Sequence, residues 1–288
     1  MSTRPLDLAA TAIRAVLAGA EVLRPFLAAE RSLAVDEKGK NDFVTAADLA
    51  AERAIRETIL GAHPGHGILG EEEAGAALDA PGPTWIVDPL DGTTNFIHGF
   101  PPFAVAAGCA IEGRVVAAAI VAPVLGELWW AARECGAYAA SLAATRGTSP
   151  ESLARGEAGR RLGTTGRTGL PGALVATGFP FRRLEHLEDY LVQLRAVLRV
   201  AAGIRRCGSA CLDLAWVASG KLDGFWEEGL GPWDLAAGSL LVEEAGGIVT
   251  DLSGGGEFLA RGEVVAAAPG VHAGLLAAVR PRDPRDGA

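Results

Sequence analysis

Trp85-Ile86-Val87-Asp88-Pro89-Leu90-Asp91-Gly92-Thr93-Thr94-Asn95-Phe96 is the most informative stretch of this chain. Thr84–Val87 reads as a buried strand that ends at Asp88. Pro89 fixes one backbone torsion and Gly92 permits a tight turn, which lets Asp88 and Asp91 converge. Two carboxylates three residues apart suit hard divalent cations, which prefer oxygen ligands, and the Leu90 carbonyl between them is a third candidate oxygen. Thr93 and Thr94 then open a short helical turn whose free N–H groups can hold a phosphate. Metal ligands and anion donors stand side by side in one loop. Asp-Gly-Thr alone is an ordinary turn and helix cap; the full string accounts for every residue type in it.

Two distant pieces add acids. Gly67-Ile68-Leu69-Gly70 reads as a short strand that delivers Glu71, Glu72 and Glu73. Such a run is usually a solvated face, but beside a paired-Asp loop one of the three becomes a candidate third carboxylate. Trp226-Glu227-Glu228-Gly229 is followed by Pro232-Trp233-Asp234. Asp234 stands where a helix begins, either as an N-cap or as a ligand held at the helix mouth.

The rest of the chain reads as mixed elements. Leu6 to Ala29 is an amphipathic helix, with Leu8, Ile13, Val16, Leu17, Leu23 and Leu27 as its apolar face and Pro25 as a kink or end. Lys38 to Asp42 is a polar turn. Thr45 caps a helix running to about Ala62 with Asp48 in its first turn. Phe103–Ile111 and Val115–Val121 form a hairpin, which Glu127–Ala132 and Gly136–Ala140 extend. Strands over Ala173–Thr177, Ile204–Arg206, Leu222–Trp226, Ile248–Thr250 and Val264–Ala267 alternate with helices over Glu185–Leu198, Ser209–Ser219, Asp234–Ala245 and Val271–Val279. Residues 141–170, rich in Ser, Thr, Gly and Arg, read as an exposed loop between two halves. The expected division is 1–140 as an N-terminal half with the metal and phosphate loop, 141–170 as variable linker, 171–280 as a C-terminal half, and 281–288 as a disordered tail. There is no internal repeat and no clean βαβ rhythm, so a layered mixed α/β architecture fits better than a barrel.

Composition narrows the function. The 288 residues are 49% hydrophobic, enough for a large core. A net charge of −9 argues against a dominant nucleic-acid surface. The longest apolar runs, 100–111 and 115–126, are too short to span a bilayer, and Met1 to Asp7 shows no signal peptide, so a cytoplasmic protein is expected. Cys207 and Cys211 lack the usual metal or redox spacing, and with Cys109 and Cys135 they read as reduced, buried thiols. His63, His66, His98, His186 and His272 read as surface or structural. Trp129-Trp130 reads as core packing, with a dimer contact as the alternative.

These residues resemble the inositol monophosphatase family, within the lithium-sensitive, magnesium-dependent phosphatases. The matching pieces are Gly70-Glu71-Glu72, Asp88 to Phe96, and Trp233-Asp234 with Glu243 to Gly247 after it. Val44-Thr45-Ala46-Ala47-Asp48 and Gly208-Ser209-Ala210 match two further motifs, and the resemblance runs from about Leu6 to Val279. It implies a layered α-β-α-β-α sandwich and a homodimer. It implies two Mg2+ ions per site, with a third beside a loop holding Lys38 or Lys40, and inhibition by lithium. By motif position, Glu71, Asp88 and the Leu90 carbonyl hold one ion, and Asp88, Asp91 and Asp234 the other. Asp48 and Thr93 orient and deprotonate the attacking water. Gly92 and Thr93, with Thr94 beside them, hold the phosphate. Asp91, Ser209, Ala210, Glu227 and Asp234 face the substrate's hydroxyl-bearing part, and Glu72 supports the site from behind. The implied reaction is hydrolysis of a small phosphate monoester, with inositol monophosphate as substrate.

Alternatives stay open at this stage. Histidinol phosphate is the runner-up, followed by fructose 1,6-bisphosphate and 3′-phosphoadenosine nucleotides. In a different class, the chain would be a non-catalytic regulatory protein on the same fold. That reading predicts damage to the metal loop, yet Glu71, Asp88, Asp91, Thr93 and Asp234 are all present. A sugar-binding or magnesium-storage module explains the acids but not the phosphate turn.

Overall fold

Along Thr84–Asp91 every residue is buried, and successive side chains enter different cores. Ile86 packs in one apolar cluster, while Trp85 and Val87 pack in another on the opposite face. A strand covered on both faces loses the polar alternation of a half-exposed one and reads as a continuous apolar run. The computed structural model describes residues 4–28, 35–39, 42–73, 75–181 and 183–280.

In chain order the elements of the first half are α1 (Pro5–Ala28), β1 (Val35–Gly39), β2 (Asp42–Thr45), α2 (Ala46–Ala62), β3 (Gly67–Gly70), β4 (Thr84–Asp91) and α3 (Thr93–Ile97). There follow β5 (Ala104–Ile111), β6 (Arg114–Ala122), β7 (Glu127–Ala132), β8 (Gly136–Ser141), α4 (Pro150–Ala154) and β9 (Arg160–Arg161). The second half holds β10 (Leu174–Thr177), α5 (Leu187–Leu198), β11 (Gly203–Arg205), α6 (Ala210–Ala218), β12 (Gly224–Glu228), α7 (Pro232–Glu244), β13 (Ile248–Thr250), α8 (Phe258–Arg261), β14 (Glu263–Ala267) and α9 (Pro269–Val279).

β3 to β9 form a seven-stranded sheet in sequence order, and the second sheet runs β11-β10-β12-β14-β13. The outer face of the larger sheet carries α1 and α2, through Leu8, Ile13, Val16, Leu23, Ile55 and Ile59. Its inner face packs on α6 and α7, which also cover the smaller sheet through Phe225, Val264 and Ala266. Val197 of α5 with Val271 and Leu275 of α9 covers the remaining face. The layers are therefore α-β-α-β-α, as the resemblance implies. The middle layer explains why α6 and α7 are apolar nearly all round: each meets a sheet on both sides.

Several local expectations are corrected. The strand at 84 does not end at Asp88 but continues to Asp91. Val35–Gly39 and Asp42–Thr45 pair antiparallel, and the middle of the polar turn expected at 38–42 falls outside the described residues. Lys38 belongs to β1, while Lys40 lies outside the described residues, as does 281–288. Pro25 neither ends nor breaks α1, because it falls in the last turn, where its missing N–H costs one bond. α7 starts at Pro232, so Asp234 is its third residue and Gly231 is the N-cap.

The segment 141–170 is mostly exposed, as expected, but it holds two short elements, α4 and β9, and is tied to the core. Leu153 and Ala154 of α4 are buried against the α1 layer, and β9 pairs with β8. Thr165 and Arg167 bind Asp223 at 2.6 and 3.0 Å. Trp129 and Trp130 are both buried, on opposite faces of β7, so packing accounts for them and the dimer-contact alternative falls. No described helix is long and apolar enough to cross a membrane.

Candidate metal and phosphate site

In a regular strand, residues three apart point to opposite faces. Asp88 and Asp91 nevertheless belong to one cluster, because β4 carries a bulge between them. Asp88 pairs with Ala106 and Asp91 with Ala104, so three steps on β4 oppose two on β5. The extra residue turns Asp91 to the side of Asp88. Pro89 has no N–H to lose in that irregular stretch, and the Leu90 N–H is satisfied by Asp88 Oδ1 at 2.9 Å. Gly92 follows with φ 99°, a left-handed conformation that lets the chain enter α3 at once.

Asp48 reaches this loop from α2. Thr45 and Asp48 form a capping box, and Asp48 Oδ2 accepts from the Thr45 N–H at 2.8 Å and hydroxyl at 2.5 Å. Its other oxygen lies 3.2 Å from Thr93 Oγ1, which is also 3.1 Å from the Leu90 carbonyl. Burial raises the Asp48 carboxyl above its usual range, against the opposing pull of the Thr45 hydrogen bonds.

One turn further along α2 stands a residue the sequence reading missed. Glu52 is fully buried and accepts from the N–H groups of Glu72 (2.8 Å) and Glu73 (3.1 Å), with Arg56 Nε 2.8 Å away. It pins the turn after β3 that carries Glu71. A Cβ at Gly70 would collide with the Glu52 carboxylate, so the turn needs glycine there. The available signal was spacing: positions 48, 52 and 56 share one face of a helix.

The second half supplies the opposite wall. Asp91 Oδ2 accepts from Ser209 Oγ at 2.6 Å and from the Cys211 N–H at 2.7 Å, which ties β4 to the first turn of α6. Asn95 Nδ2 donates to the carbonyls of Pro102 (2.6 Å) and Cys207 (2.8 Å), fastening the loop before Ser209. Asp234 Oδ2 accepts from the Gly231 N–H at 2.6 Å. On β12, Glu227 lies against Gly178, where any Cβ would overlap its carboxylate.

The sequence-derived candidates line one cleft of about 380 Å³, except Asp48 and the supporting Glu72. Asp48 stands behind it, through Thr93, and Glu72 is tied to Glu52. Sequence reasoning missed the outer wall, Phe179, Phe181, Arg183 and Arg206. The Arg206 guanidinium sits 5.5 Å from the centre of each Phe ring. Asp213, buried behind the cleft, was also missed. None of the five histidines lines the cleft; His63 stacks on His66 with ring centres 4.4 Å apart. All four cysteines are free thiols, but only Cys109 and Cys211 are buried.

The floor is an anionic trap. Burial, then the charges of Glu71, Asp91 and Asp234, push the Asp88 carboxyl well above its normal range. Burial also raises Asp91, against the hydrogen bonds from Ser209 and Cys211. Asp88 Oδ2 is buried with no hydrogen-bond partner. A buried carboxylate oxygen without a donor, facing other acids, is costly to fold unless a cation completes it. Asp88 and Asp91 each offer a carboxylate oxygen there, with the Cys211 Sγ within 4.8 Å, and paired carboxylate oxygens fit a hard divalent ion.

Comparison with known proteins agrees with this geometry. A profile of the inositol monophosphatase family matches residues 5–284. The chain is 41% identical over 266 residues to an inositol-1-monophosphatase of Mesorhizobium japonicum, covering 92% of this chain and 93% of that one. It is 43% identical over 281 residues to the Nus factor SuhB of Pseudomonas aeruginosa, covering 95% and 96%. The inositol monophosphatase structure from Anabaena (Nostoc) superposes with a TM-score of 0.80 at 33% identity, covering 98% of both chains.

Proposed function

We infer the substrate and the metal from one premise: this chain belongs to the inositol monophosphatase family and is a phosphoric monoester hydrolase. The substrate we propose is inositol monophosphate, cleaved to inositol and phosphate with Mg2+. The observation that carries the metal is the buried, partnerless Asp88 Oδ2 among three further carboxylates. Glu71, Asp88 and the Leu90 carbonyl would hold one ion, and Asp88, Asp91 and Asp234 a second. When bound, the ions lower the pKa of water and stabilise charge on the leaving oxygen.

The protein's own groups do the rest. Thr93 Oγ1 and Asp48 Oδ1, 3.2 Å apart, orient the attacking water and receive its proton. Burial makes Asp48 a stronger base than a solvated carboxylate, which suits that task at neutral pH. Gly92, Thr93 and Thr94, at the first turn of α3, receive the phosphate. Glu227 accepts hydrogen bonds from the polyol, held in place by the glycine wall at 178. Ser209 and Ala210 close the same side.

We also propose a homodimer. Phe179, Phe181, Leu184, Leu187 and Leu191 are exposed within a short stretch of one chain, which supports a self-associating face. Free thiols support a cytoplasmic location. The complete acidic site speaks against a purely regulatory protein, although the likeness to a Nus factor supports a regulatory role beside catalysis.

The test is phosphate release from inositol 1-phosphate, histidinol phosphate, fructose 1,6-bisphosphate and 3′-phosphoadenosine 5′-phosphate, with Mg2+ and with chelator. The highest kcat/KM on inositol 1-phosphate, lost with chelator, is expected. A preference for another of the four refutes the substrate, and chelator-resistant release refutes the metal.

A further inference from the structure

The elements that carry the acidic site are fastened to one another at their far ends by a pair of histidines. His63 caps the C-terminus of α2, whose first turn holds Asp48. His66 precedes β3, which leads to Glu71, and Trp85 stands near the start of β4, which runs on to Asp88 and Asp91. The two imidazoles stack with ring centres 4.4 Å apart and planes 11° from parallel, and Trp85 lies 6.0 and 6.4 Å from them. Trp85 Nε1–H donates to His66 Nδ1 at 3.1 Å. The Thr11 hydroxyl of α1 donates to the Asp7 carbonyl at 3.2 Å and so accepts from His63 Nε2 at 3.1 Å. That leaves His63 Nδ1 bare, and it is buried without a partner.

We propose that this cluster is a proton-sensitive clasp, closed while both imidazoles are neutral and released by acid, which slackens α2, β3 and β4 behind the acidic site. A neutral imidazole accepts at one ring nitrogen, whereas an imidazolium donates from both. His66 accepts from Trp85 only while its Nδ1 is bare. A proton there sets one N–H against the indole N–H, and the bond becomes a clash. A proton on His63 Nδ1 finds no acceptor among the described residues and stays buried and unsatisfied. Two charged rings would also face each other across the stack. The charged groups around it are Arg14 and Asp7 on α1 and the chain's terminal amine. Arg14, which donates to Thr11 Oγ1 at 3.0 Å, repels a proton on His63, and Asp7 attracts one. Burial is the largest influence and lowers both histidines below their usual 6.5. The unfolded chain therefore binds these protons first. The clasp stabilises the fold fully above pH 6.5, and that contribution is lost as the pH falls below it. None of this depends on the choice of substrate or metal.

The test compares the wild type with the double variant His63→Phe, His66→Gln, which keeps a ring in the stack and an oxygen for the Trp85 N–H but cannot titrate. Between about pH 7.5 and about pH 5, in chelator, the wild-type Tm is expected to fall relative to the variant by about 2–5 °C, the scale of one lost buried hydrogen bond in 288 residues. The carboxylates titrate in both proteins, so their contributions cancel in the comparison. Over the same range the Trp85 indole N–H resonance, assigned as the one of six that Trp85→Phe removes, shifts in the wild type and holds still in the variant. The Glu72 and Glu73 amides, which Glu52 holds beside the site, should exchange with deuterium faster in the acidified wild type than in the acidified variant. Parallel melts, an immobile Trp85 resonance in the wild type, or equal exchange in the two proteins overturns the proposal. Should the double variant fail to fold, His66→Gln alone and the wild-type resonance still decide. An error in the phosphatase assignment would alter phosphate release and leave the melts and the resonance as they are.

Discussion

Replacing Asp88 by Asn should make the metal-free protein more stable while destroying its response to Mg2+. Asp88 is fully buried, and its Oδ1 holds the Leu90 N–H at 2.9 Å. Its Oδ2 has no partner and faces the charges of Glu71, Asp91 and Asp234. An asparagine keeps the Leu90 bond and turns an amide N–H₂ toward those acids, converting repulsion into donation. Relieving one unsatisfied buried group is worth about 1–3 kcal/mol. With an unfolding entropy of about 2.1 cal/mol/K per residue, 288 residues correspond to about 0.6 kcal/mol/K, so Tm should rise by about 2–5 °C.

The pH dependence follows from the raised pKa. The folded chain binds the Asp88 proton more tightly than the unfolded chain, whose value is near 3.8. The wild type therefore loses stability as pH climbs above that value, until the folded group has also ionised. The amide of the Asp88→Asn variant does not titrate, so its advantage is absent in strong acid and largest at alkaline pH. With Mg2+ at a thousand times its Kd, the wild type gains about 4.1 kcal/mol and overtakes the variant. Calorimetric melts in chelator and in Mg2+, at acidic and alkaline pH, read all of this. An Asp88→Asn protein that melts below the wild type in chelator, or shows the wild-type Mg2+ shift, would refute the reasoning.

Further outcomes can be checked with the same protein. Asp91→Asn should lower turnover by more than about a hundredfold while leaving the circular dichroism spectrum unchanged, since a direct ligand matters at least as much as an outer one; near-normal kcat would remove Asp91 from the site. Glu52→Gln sets an amide donor against the Glu72 or Glu73 N–H, so Tm should fall by about 2–5 °C for a loss of about 1–3 kcal/mol. Titration should also show Mg2+ binding about 10–100-fold weaker, as Glu71 loses its support. Gly178→Ala drives a methyl into the Glu227 carboxylate, at a cost of about 1–3 kcal/mol in urea unfolding. Its KM for inositol 1-phosphate should rise more than kcat falls; an unchanged KM would take Glu227 away from the substrate.

The sequence alone carried the fold class, most elements and one whole chemical loop. That loop was legible because its information is local. An apolar run, Pro89, Gly92 and paired hydroxyls each answer to backbone torsions and caps within a dozen residues. Likewise Thr45 and Asp48 announce a helix start by a spacing of three, and the structure has that capping box. The convergence of Asp88 with Asp91 was expected from a turn, but a bulge against β5 produces it, and a bulge depends on the partner strand. Glu52 shared a helix face with Asp48, but spacing alone did not mark it, because a Glu on a helix is ordinarily solvent-facing; only β3 and the turn after it bury this one. The outer wall of Phe179, Phe181, Arg183 and Arg206 was illegible for a similar reason. Those residues face the cleft only because β10 and β11 lie side by side and α6 and α7 bring the second sheet over the first. Local chemistry set which donors this chain owns; long-range packing decided which of them share one buried cleft, since burial and mutual distance belong to the whole fold.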